Sequence, residues 1–420
     1  MSASDYKVGL LFSESSLTAA SETTQANATH LAIAEVNDAG GIHGRPLVPV
    51  DGHPGAEPSD YRDSALRLCD EHQVQVLFGT HMSSTRKVVL PVVESRRRLL
   101  FYPTLYEGFE YSPWCYYTGS APNQNSVQLA QYVLAHFGNR VLFVGGSYVY
   151  PFESNRIMRE LFEQAGGEVV DEIYLPFHAT AEDFERVMQR ARATAPDAIY
   201  STIVGSDIPA LHRAYRQAGF DPACMPIVSL ATNEVDVLHM SDEEAEGHVS
   251  AAPWFSSLAT PASQAFVARY RARFGDTAPL TAGGEAAYFQ VHLFAEAARR
   301  AEGSSIEALR KALAGAQFDA PQGRVQIDPD TQHTWLWPRI ARLDHQRRFE
   351  LVVQSEQPVK PSPYMVDYQL DVQPCTVGVR DDPGTFAVAR TQGPARAGDS
   401  PGRCRGPRGA GPVAAHRLHR

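Results

Sequence analysis

The chain has 420 residues, of which 43% are hydrophobic and 20% charged, a balance that excludes a fibrous, membrane-embedded or largely disordered protein. Its formal charge of −10 argues against direct binding of nucleic acid, because affinity for phosphates comes largely from basic residues. At about 150 residues per domain, the length predicts two or three domains.

The first predicted elements are a strand over 6–12 and a helix over 23–38 that ends at Gly40 and Gly41, residues typical of a helix C-terminus. The residues before the strand lack the basic start, long apolar run and small-residue cleavage site of a secretory signal. We therefore expect a cytoplasmic protein, or a periplasmic one if the true start lies upstream. No apolar run is long enough to predict a membrane span.

The same unit of strand and helix then recurs along the chain. Apolar runs predict strands over 74–79, 99–102, 140–145, 168–176, 197–204, 225–230 and 248–253. Amphipathic patterns predict helices over 60–72, 125–138, 153–167 and 208–220, and a helix-rich stretch over 261–315. Strands separated by helices of about 10–15 residues form parallel sheets that are covered by helices on both faces.

The predicted fold class is α/β, with two Rossmann-like lobes of parallel strands. Turn-forming residues at 119–126 and 252–263 mark places where the chain passes between the lobes, and we expect three such crossovers. The predicted lobes are 6–120 plus 255–330 for the N-terminal lobe, and 121–254 plus 331–368 for the C-terminal lobe. Ligands of open α/β sheets bind at the carboxyl ends of the strands, so two facing lobes would share one ligand cleft.

Residues 371–420 differ in composition from the rest of the chain. They contain eight arginines, no lysine and four aspartates, a charge of +4, so the preceding residues carry −14. Six prolines and eight glycines in this stretch are typical of disorder. The composition of residues 371–420 also resembles the translation of a GC-rich gene in a shifted reading frame. We therefore expect a disordered tail or a frameshift product.

The sequence gives no support for catalysis or for a metal site. Ser84 and Lys87 match the S-x-x-K motif of penicillin-binding enzymes, but the S-D-N and K-T-G elements of that chemistry do not occur. No Walker, G-x-G-x-x-G or H-E-x-x-H motif occurs either. The five cysteines contain no C-x-x-C pair, and the 15 histidines are dispersed. We predict that the protein is not an enzyme and uses no cofactor or metal.

Polar and aromatic residues follow four of the predicted strands. They lie in THMSSTRK (80–87), PTLYEGFEYSP (103–113), GSYVYPFESN (146–155) and ATNEV (231–235). Aromatic walls with a few hydroxyl and backbone donors suit a small, neutral, polar ligand, whereas a charged ligand requires an arginine or carboxylate clamp. Helix capping by Ser83, Ser84 and Ser147 is an alternative role for the same loops.

Several segments resemble the type I periplasmic binding-protein superfamily and, within it, the amide sensors that negatively regulate aliphatic amidase operons. The matching segments are VGLLFSE (8–14), MSSTRKVVLPVVE (82–94), YPTLYEGFEYSP (102–113), APNQNS (121–126), YVYPFESNRIMR (148–159), STIVG (201–205) and DAPQGRV (319–325). Related transporter components for urea and short-chain amides share part of this pattern. The resemblance covers roughly residues 6–368.

The resemblance implies a cytoplasmic receptor that holds an acetamide-like or urea-like ligand between its lobes. In that family the receptor sequesters an RNA-binding antitermination regulator until the ligand arrives; whether the chain forms a homo-oligomer stays open. The implied role of Ser83 is to present its hydroxyl and backbone N–H to the amide. The other implied lining residues are Thr104, Tyr148, Tyr150 and Thr232, with Tyr102 and Tyr106 completing an aromatic wall.

Two residues depart from the amide-sensor pattern. His81 stands where those sensors have a tyrosine, and Leu105 stands where they have the second proline of YPTPYEG. We expect His81 to add a donor or acceptor that titrates near neutral pH, and Leu105 to influence ligand size. Two other functions remain open: a substrate-binding component of an ABC importer for urea, short-chain amides or branched-chain amino acids, and a hydrolase of the same amides.

Overall fold

The structure, a computed structural model, describes residues 5–365. Its first sheet has five parallel strands in the order β2-β1-β3-β4-β5. These strands are β1 (Tyr6–Leu11), β2 (Leu47–Asp51), β3 (Val76–Gly79), β4 (Leu99–Tyr102) and β5 (Cys115–Tyr117). The helices between them are α1 (Ala19–Asp38), α2 (Pro58–Asp70) and α3 (Ser83–Arg96). We call this sheet and the elements packed on it the first lobe.

The chain then enters a second sheet, which with its helices forms the second lobe. Five consecutive strands of this sheet are parallel: β6 (Arg140–Gly146), β7 (Glu168–Leu175), β8 (Ala198–Thr202), β9 (Ile227–Ser229) and β10 (Val249–Ala252). The helices of this part are α4 (Ser126–His136), α5 (Val149–Gln164), α6 (Ala181–Thr194), α7 (Asp207–Gln217), α8 (Glu234–Val237) and α9 (Asp242–Ala245).

The next stretch returns to the first lobe. It contains α10 (Pro261–Phe274), α11 (Ala282–Arg300), α12 (Ile306–Leu313) and a small antiparallel sheet of β11 (Gln317–Ala320), β12 (Gly323–Ile327) and β13 (Thr334–Trp335). Helix α11 packs along α1, and Leu31 and Ala32 share one hydrophobic core with Phe289 and Phe294. The core of the first lobe is therefore built from segments far apart in sequence.

The last two strands, β14 (Arg339–Leu343) and β15 (Phe349–Gln354), complete the second sheet in the order β15-β14-β10-β9-β8-β6-β7. Both run antiparallel to their neighbours. The chain thus passes between the two lobes three times: after β5, after β10 and before β14.

The α/β fold with two parallel sheets and three crossovers is confirmed. The strands β3 and β4 are buried at every residue, which explains why their sequences are continuous apolar runs rather than alternating ones. The sequence did not reveal β2, which is half-buried and contains Pro49, or β5, which has three residues. It also missed the antiparallel edge of the second sheet. The lobe limits stay predictions, and the predicted tail at 371–420 lies outside the described residues.

Among the helices of residues 5–365, none is both long enough and apolar enough to cross a membrane.

Candidate ligand-binding site

A cavity of about 90 Å³ lies between the two lobes, at the carboxyl ends of the parallel strands. All four loops that the sequence singled out contribute to its wall. They place there the predicted site residues His81, Ser83, Thr104, Leu105, Tyr148, Tyr150 and Thr232. This is the position that open α/β sheets provide for a ligand, since the loops that leave neighbouring parallel strands meet at one edge.

The loop between β1 and α1 is held in place by the buried carboxylate of Glu22. It accepts hydrogen bonds from Ser13 N at 2.8 Å, from the Ser16 hydroxyl at 2.6 Å and from the Thr18 hydroxyl at 2.9 Å. A fourth donor, the Tyr61 hydroxyl, lies 2.6 Å away on α2. Four donors satisfy a buried carboxylate without a basic partner, and they fix the loop that places Thr18 and Ser21 in the cavity wall.

Ser83 is the first residue of α3, and its backbone N–H has no acceptor in the preceding turn. The residue before the helix, Met82, makes no side-chain cap, so the N-terminus of α3 is open where it borders the cavity. The Ser83 hydroxyl, however, donates to Glu107 Oε2 and accepts from Arg86 Nη1 at 3.2 Å. The expectation that the ligand receives both the hydroxyl proton and the backbone N–H therefore needs correction: the hydroxyl proton is already committed to Glu107.

Thr104 and His81 are oriented together by Gln25, which reaches them from α1. Gln25 Nε2 donates to Thr104 Oγ1 at 2.9 Å, and His81 Nδ1 lies 3.1 Å from Gln25 Oε1. A carbonyl oxygen only accepts, so His81 carries its proton on Nδ1 and keeps Nε2 as an acceptor. Burial lowers the pKa of His81. This direction is against the expected titration near neutral pH and favours the neutral imidazole.

Tyr102 and Tyr106 do not line the cavity. The Tyr102 hydroxyl donates to the backbone oxygen of His81 at 2.6 Å, which places it directly behind the cavity wall. Tyr106 turns away and stacks on Tyr117, and its hydroxyl pairs with His333 Nε2. These rings pack around the guanidinium of Arg86 instead of a ligand. Of the four predicted tyrosines, only Tyr148 and Tyr150 line the cavity, and two further aromatic rings in its wall belong to Trp254 and Phe255.

In the second lobe, Tyr148 and Tyr150 project from the start of α5, and their ring centroids lie 6.2 Å apart. Tyr148 also contacts the half-exposed ring of Phe177 at 5.1 Å. Burial raises the pKa of both tyrosines, so both hydroxyls keep their protons at neutral pH. Thr232 lies beyond β9, where the Ser229 hydroxyl accepts from its backbone N–H at 3.1 Å and fixes the loop.

Two buried hydroxyl groups in the cavity wall have no hydrogen-bond partner among the described residues. They belong to Tyr150, which is 5% exposed, and to Ser120, which is 2% exposed and lies in the first crossover. Ser154, one turn further along α5, has its hydroxyl 2.8 Å from that of Tyr200. Buried polar groups are nearly always paired, so these two hydroxyls are available to a polar group that enters the cavity.

Charged groups are scarce around the cavity. Within the described part of the chain, no arginine or lysine lines it, and Glu234 is its single acidic side chain. Burial raises the pKa of Glu234 to about 7, against the hydrogen bond that its carboxylate accepts from Ser256 N at 2.8 Å. No group of three or more histidine, cysteine or acidic residues in 5–365 is arranged to hold a metal ion.

The lobes touch each other beside the cavity. Asn233 Nδ2 of the second lobe donates to Ser21 Oγ of the first lobe at 3.3 Å. Gly205, which follows β8, approaches Leu17 so closely that a Cβ at this glycine would lie 2.3 Å from the Leu17 carbonyl oxygen. The φ of Gly205 is +62°, a further reason for glycine here. The structure therefore shows the cleft in a closed arrangement.

Several wall residues escaped the sequence analysis. Those after β1 and β8, such as Ser21 and Gly205, obey the strand-end rule, and the predicted strands at 6–12 and 197–204 were signals for them. Ser120 and Glu234 lie close to residues that were singled out. Residues 281–286 at the start of α11 had no local signal, because this helix reaches the cavity only through packing on α1.

Comparison of the chain with known proteins identifies a matching family. A family model described as periplasmic binding protein domain matches residues 6–370. The Leu/Ile/Val-binding protein homolog 6 of Brucella melitensis is 23% identical over 290 residues, which cover 67% of this chain and 73% of the relative.

Two solved structures show the same fold. A solute binding protein of an ABC transporter from Rhodopseudomonas palustris HaA2, in complex with p-hydroxybenzoic acid, matches with a TM-score of 0.78 at 20% identity and covers 87% of this chain and 100% of its own. The branched-chain amino acid transporter substrate binding protein LivJ from Streptococcus pneumoniae, in complex with isoleucine, matches with a TM-score of 0.74 at 20% identity, over 85% and 100%. With its fold, its interlobe cavity and a family match over residues 6–370, the chain belongs to the periplasmic binding protein domain family, and it is a binding protein rather than an enzyme.

Proposed function

We propose that the chain is a receptor for a short aliphatic amide or urea, which it holds between its two lobes. The observation that carries this proposal is the pair of unpaired hydroxyls, Tyr150 and Ser120, in a cavity without a lysine or arginine among the described residues. Both hydroxyls can donate to a carbonyl oxygen. A neutral carbonyl compound satisfies them without bringing a charge into a site that has no cation to balance it.

The size of the cavity supports a small ligand. Its volume of about 90 Å³ is below the ~150 Å³ of a protein cavity that accepts benzene. Acetamide and urea each have about four non-hydrogen atoms, fewer than the roughly six of benzene, whereas isoleucine and p-hydroxybenzoate have about nine and ten. At a ceiling of about −1.5 kcal/mol per non-hydrogen atom, acetamide reaches roughly −6 kcal/mol, or a Kd of tens of micromolar. Such an affinity suits a receptor for a carbon or nitrogen source.

An amino acid is the main competing ligand class, because Glu234 is placed to accept an ammonium group. The open N-terminus of α3 at Ser83 would then hold the carboxylate. Glu234 has a pKa of about 7, so its carboxylate loses its charge as the pH falls below 7. Binding of an amino acid should therefore weaken on acidification, whereas binding of a neutral amide should not.

The test is calorimetric titration of the wild-type protein and of a Glu234→Gln variant at pH 6 and pH 8. The ligands are acetamide, urea, isoleucine and p-hydroxybenzoate. We expect acetamide or urea to bind both proteins at both pH values within about threefold. Binding of isoleucine that is lost at pH 6 and in the variant would instead show an amino-acid receptor, and no heat with either amide at millimolar concentration would refute the proposal.

The comparisons favour one biological role for ligand binding, which is delivery of the ligand to an ABC importer. The two solved structures described above are named as transporter components, and the Brucella relative is named as a Leu/Ile/Val-binding protein homolog. This role predicts that cells lacking the gene take up labelled urea or acetamide more slowly at micromolar concentration. Unchanged uptake in such cells would contradict it. Cell fractionation adds a second check, since an importer component should lie outside the inner membrane.

A second candidate is a regulatory receptor that sequesters an RNA-binding antitermination regulator until the amide binds. The sequence segments shared with the amide sensors favour it, above all MSSTRKVVLPVVE and YPTLYEGFEYSP, which border the cavity. In this case the partner should prefer one arrangement of the lobes and the ligand the other. Size-exclusion chromatography with the regulator from the same operon should show a complex that acetamide dissociates. A complex unaffected by acetamide would argue against this candidate.

A further inference from the structure

The polar partner behind Ser83 is Glu107, a buried residue that does not line the cavity. Glu107 is 2% exposed and accepts the hydrogen bond of the Ser83 hydroxyl through Oε2. Its other oxygen, Oε1, lies 3.0 Å from Arg86 Nη2 and 3.5 Å from Lys87 Nζ. Arg86 is itself fully buried and is shared with Glu110, whose Oε1 lies 2.8 Å from Arg86 Nε. The two cations thus pair with Oε1 of Glu107 and leave Oε2 to the serine.

This arrangement fixes the hydrogen-bonding polarity of Ser83. A hydroxyl group has one proton to donate and two lone pairs to accept with. The proton of Ser83 goes to Glu107, and one lone pair takes Arg86 Nη1. The second lone pair of the hydroxyl is the one group that remains available to a ligand in the cavity. A ligand atom that faces it must therefore carry a hydrogen.

Three other groups of the wall have the opposite polarity. The backbone N–H of Ser83 and the unpaired hydroxyls of Tyr150 and Ser120 can all donate. A ligand that satisfies both sets carries a carbonyl oxygen and an N–H group in one small molecule, as a primary amide or urea does. A carboxylic acid of the same shape is an anion at neutral pH and has only acceptors, so one of its oxygens would meet the lone pair of Ser83 unpaired.

The charge of Glu107 also reaches the far side of the cavity. Beyond the effect of burial, it contributes to raising the pKa of both Tyr148 and Tyr150. The Glu107 carboxylate repels a second anion in the ligand space, and the adjacent Arg86 and Lys87 reduce this repulsion. Charge and hydrogen-bond polarity therefore act in the same direction.

Building on the proposed function, we infer that Glu107 is the positioning residue that makes the site select amides over the isosteric carboxylic acids. It acts through Ser83, whose hydroxyl it turns into an acceptor, and it does not touch the ligand. Replacement by glutamine removes the charge and offers Ser83 an N–H donor, which frees the serine proton to point into the cavity.

The experiment measures the ratio of the acetamide and acetate affinities in three variants by calorimetry at pH 7.5. Glu107→Gln and Ser83→Ala should each lower the acetamide-over-acetate ratio by about tenfold or more relative to the wild type. Glu110→Gln is the matched control: it removes the neighbouring carboxylate from the same arginine, leaves Ser83 untouched, and should keep the ratio within about twofold. A merely structural role of Glu107 would weaken both ligands equally and leave the ratio unchanged.

An unchanged ratio in Glu107→Gln or in Ser83→Ala overturns the inference while amide binding by the wild type upholds the proposed function. If Glu107→Gln fails to fold, as near-UV circular dichroism will show, the Ser83→Ala arm decides alone. A wild-type protein that binds neither acetamide nor urea overturns the proposed function and this inference with it.

Discussion

The two walls of the cleft are built in different ways. In the first lobe, the side chains of Ser83, Thr104 and His81 are already hydrogen-bonded to protein partners, and a buried ion cluster of Arg86, Glu107 and Glu110 lies behind them. In the second lobe, the wall includes the rings of Tyr148 and Tyr150. There the hydroxyl of Tyr150 has no partner among the described residues.

The difference indicates a division of roles. Side chains with committed hydrogen bonds have fixed polarity, so the first wall discriminates between ligands. An unpaired hydroxyl gains a partner only when a ligand is present, so the second wall gains stability when the cleft is occupied and closed. Substitutions behind and within the first wall should therefore change stability and selectivity, whereas removal of the Tyr150 hydroxyl from the second wall should change affinity.

The largest expected effect is loss of stability on breaking the ion cluster with Arg86→Met. The substitution leaves the buried carboxylate of Glu107 and the partly buried one of Glu110 without their main cation, which costs about 3–5 kcal/mol. The control is Arg62→Met, since the ion pair of Arg62 with Asp63 is exposed and contributes about 1 kcal/mol at most. Differential scanning calorimetry measures the melting temperatures of both variants. It avoids urea as a denaturant, because urea is a proposed ligand. Equal melting temperatures for the two variants would contradict the role of the cluster.

The next effect concerns closure of the cleft, at Gly205. A methyl group there meets the Leu17 carbonyl of the other lobe, so Gly205→Ala should resist closure and weaken acetamide binding by about tenfold or more. Gly219→Ala is a matched control in the same lobe: its φ of +73° imposes a similar backbone cost, but a Cβ there has nothing within 4 Å.

Calorimetry gives the affinities of these two glycine variants, and small-angle scattering reports whether Gly205→Ala is the more open. Both variants should lose about 1 kcal/mol of stability from the left-handed backbone. If Gly205→Ala binds acetamide as tightly as Gly219→Ala, the contact between the lobes does not limit closure.

Two tyrosine hydroxyls of the second lobe should differ in their effect when they are removed: one should affect ligand affinity and the other protein stability. Tyr150→Phe deletes the unpaired hydroxyl and should weaken acetamide binding by about tenfold without lowering the melting temperature. Tyr200→Phe deletes a hydroxyl that is paired with Ser154, and should lower the stability by about 1 kcal/mol with unchanged binding. The same outcome in both variants would remove the distinction between an unpaired and a paired hydroxyl.

The smallest effect is a change in ligand length at Leu105. This half-buried side chain lines the cavity and packs against the core of the second lobe. Leu105→Ala should therefore enlarge the space and favour butyramide over acetamide by a few-fold, on the scale of ~0.8 kcal/mol for each buried CH₂. Competition titration of the two amides measures the shift. A preference unchanged from that of the wild type would assign ligand length to other wall residues.

The sequence predicted the fold and much of the site because both depend on local patterns. Apolar runs followed by polar loops identified the strands and four loops at one edge, and the resemblance to the amide sensors pointed to Ser83, Thr104, Tyr148 and Thr232 within these loops. Tyr102 and Tyr106 were misplaced because the pattern of the loop did not reveal Arg86, which draws both rings into the ion cluster. The state of His81 depends on Gln25, a residue 56 positions away, and such long-range contacts have no local signal.

The most direct test is a pair of titrations of the wild-type protein, one with acetamide and one with acetate, at pH 7.5. A site whose serine accepts a hydrogen bond and which has no cation in its wall should bind acetamide with a Kd from tens of micromolar to millimolar. Acetate should bind at least about a hundredfold more weakly, since it lacks the N–H and brings a charge. Equal affinity for the two ligands, or tighter binding of acetate, would contradict an amide receptor.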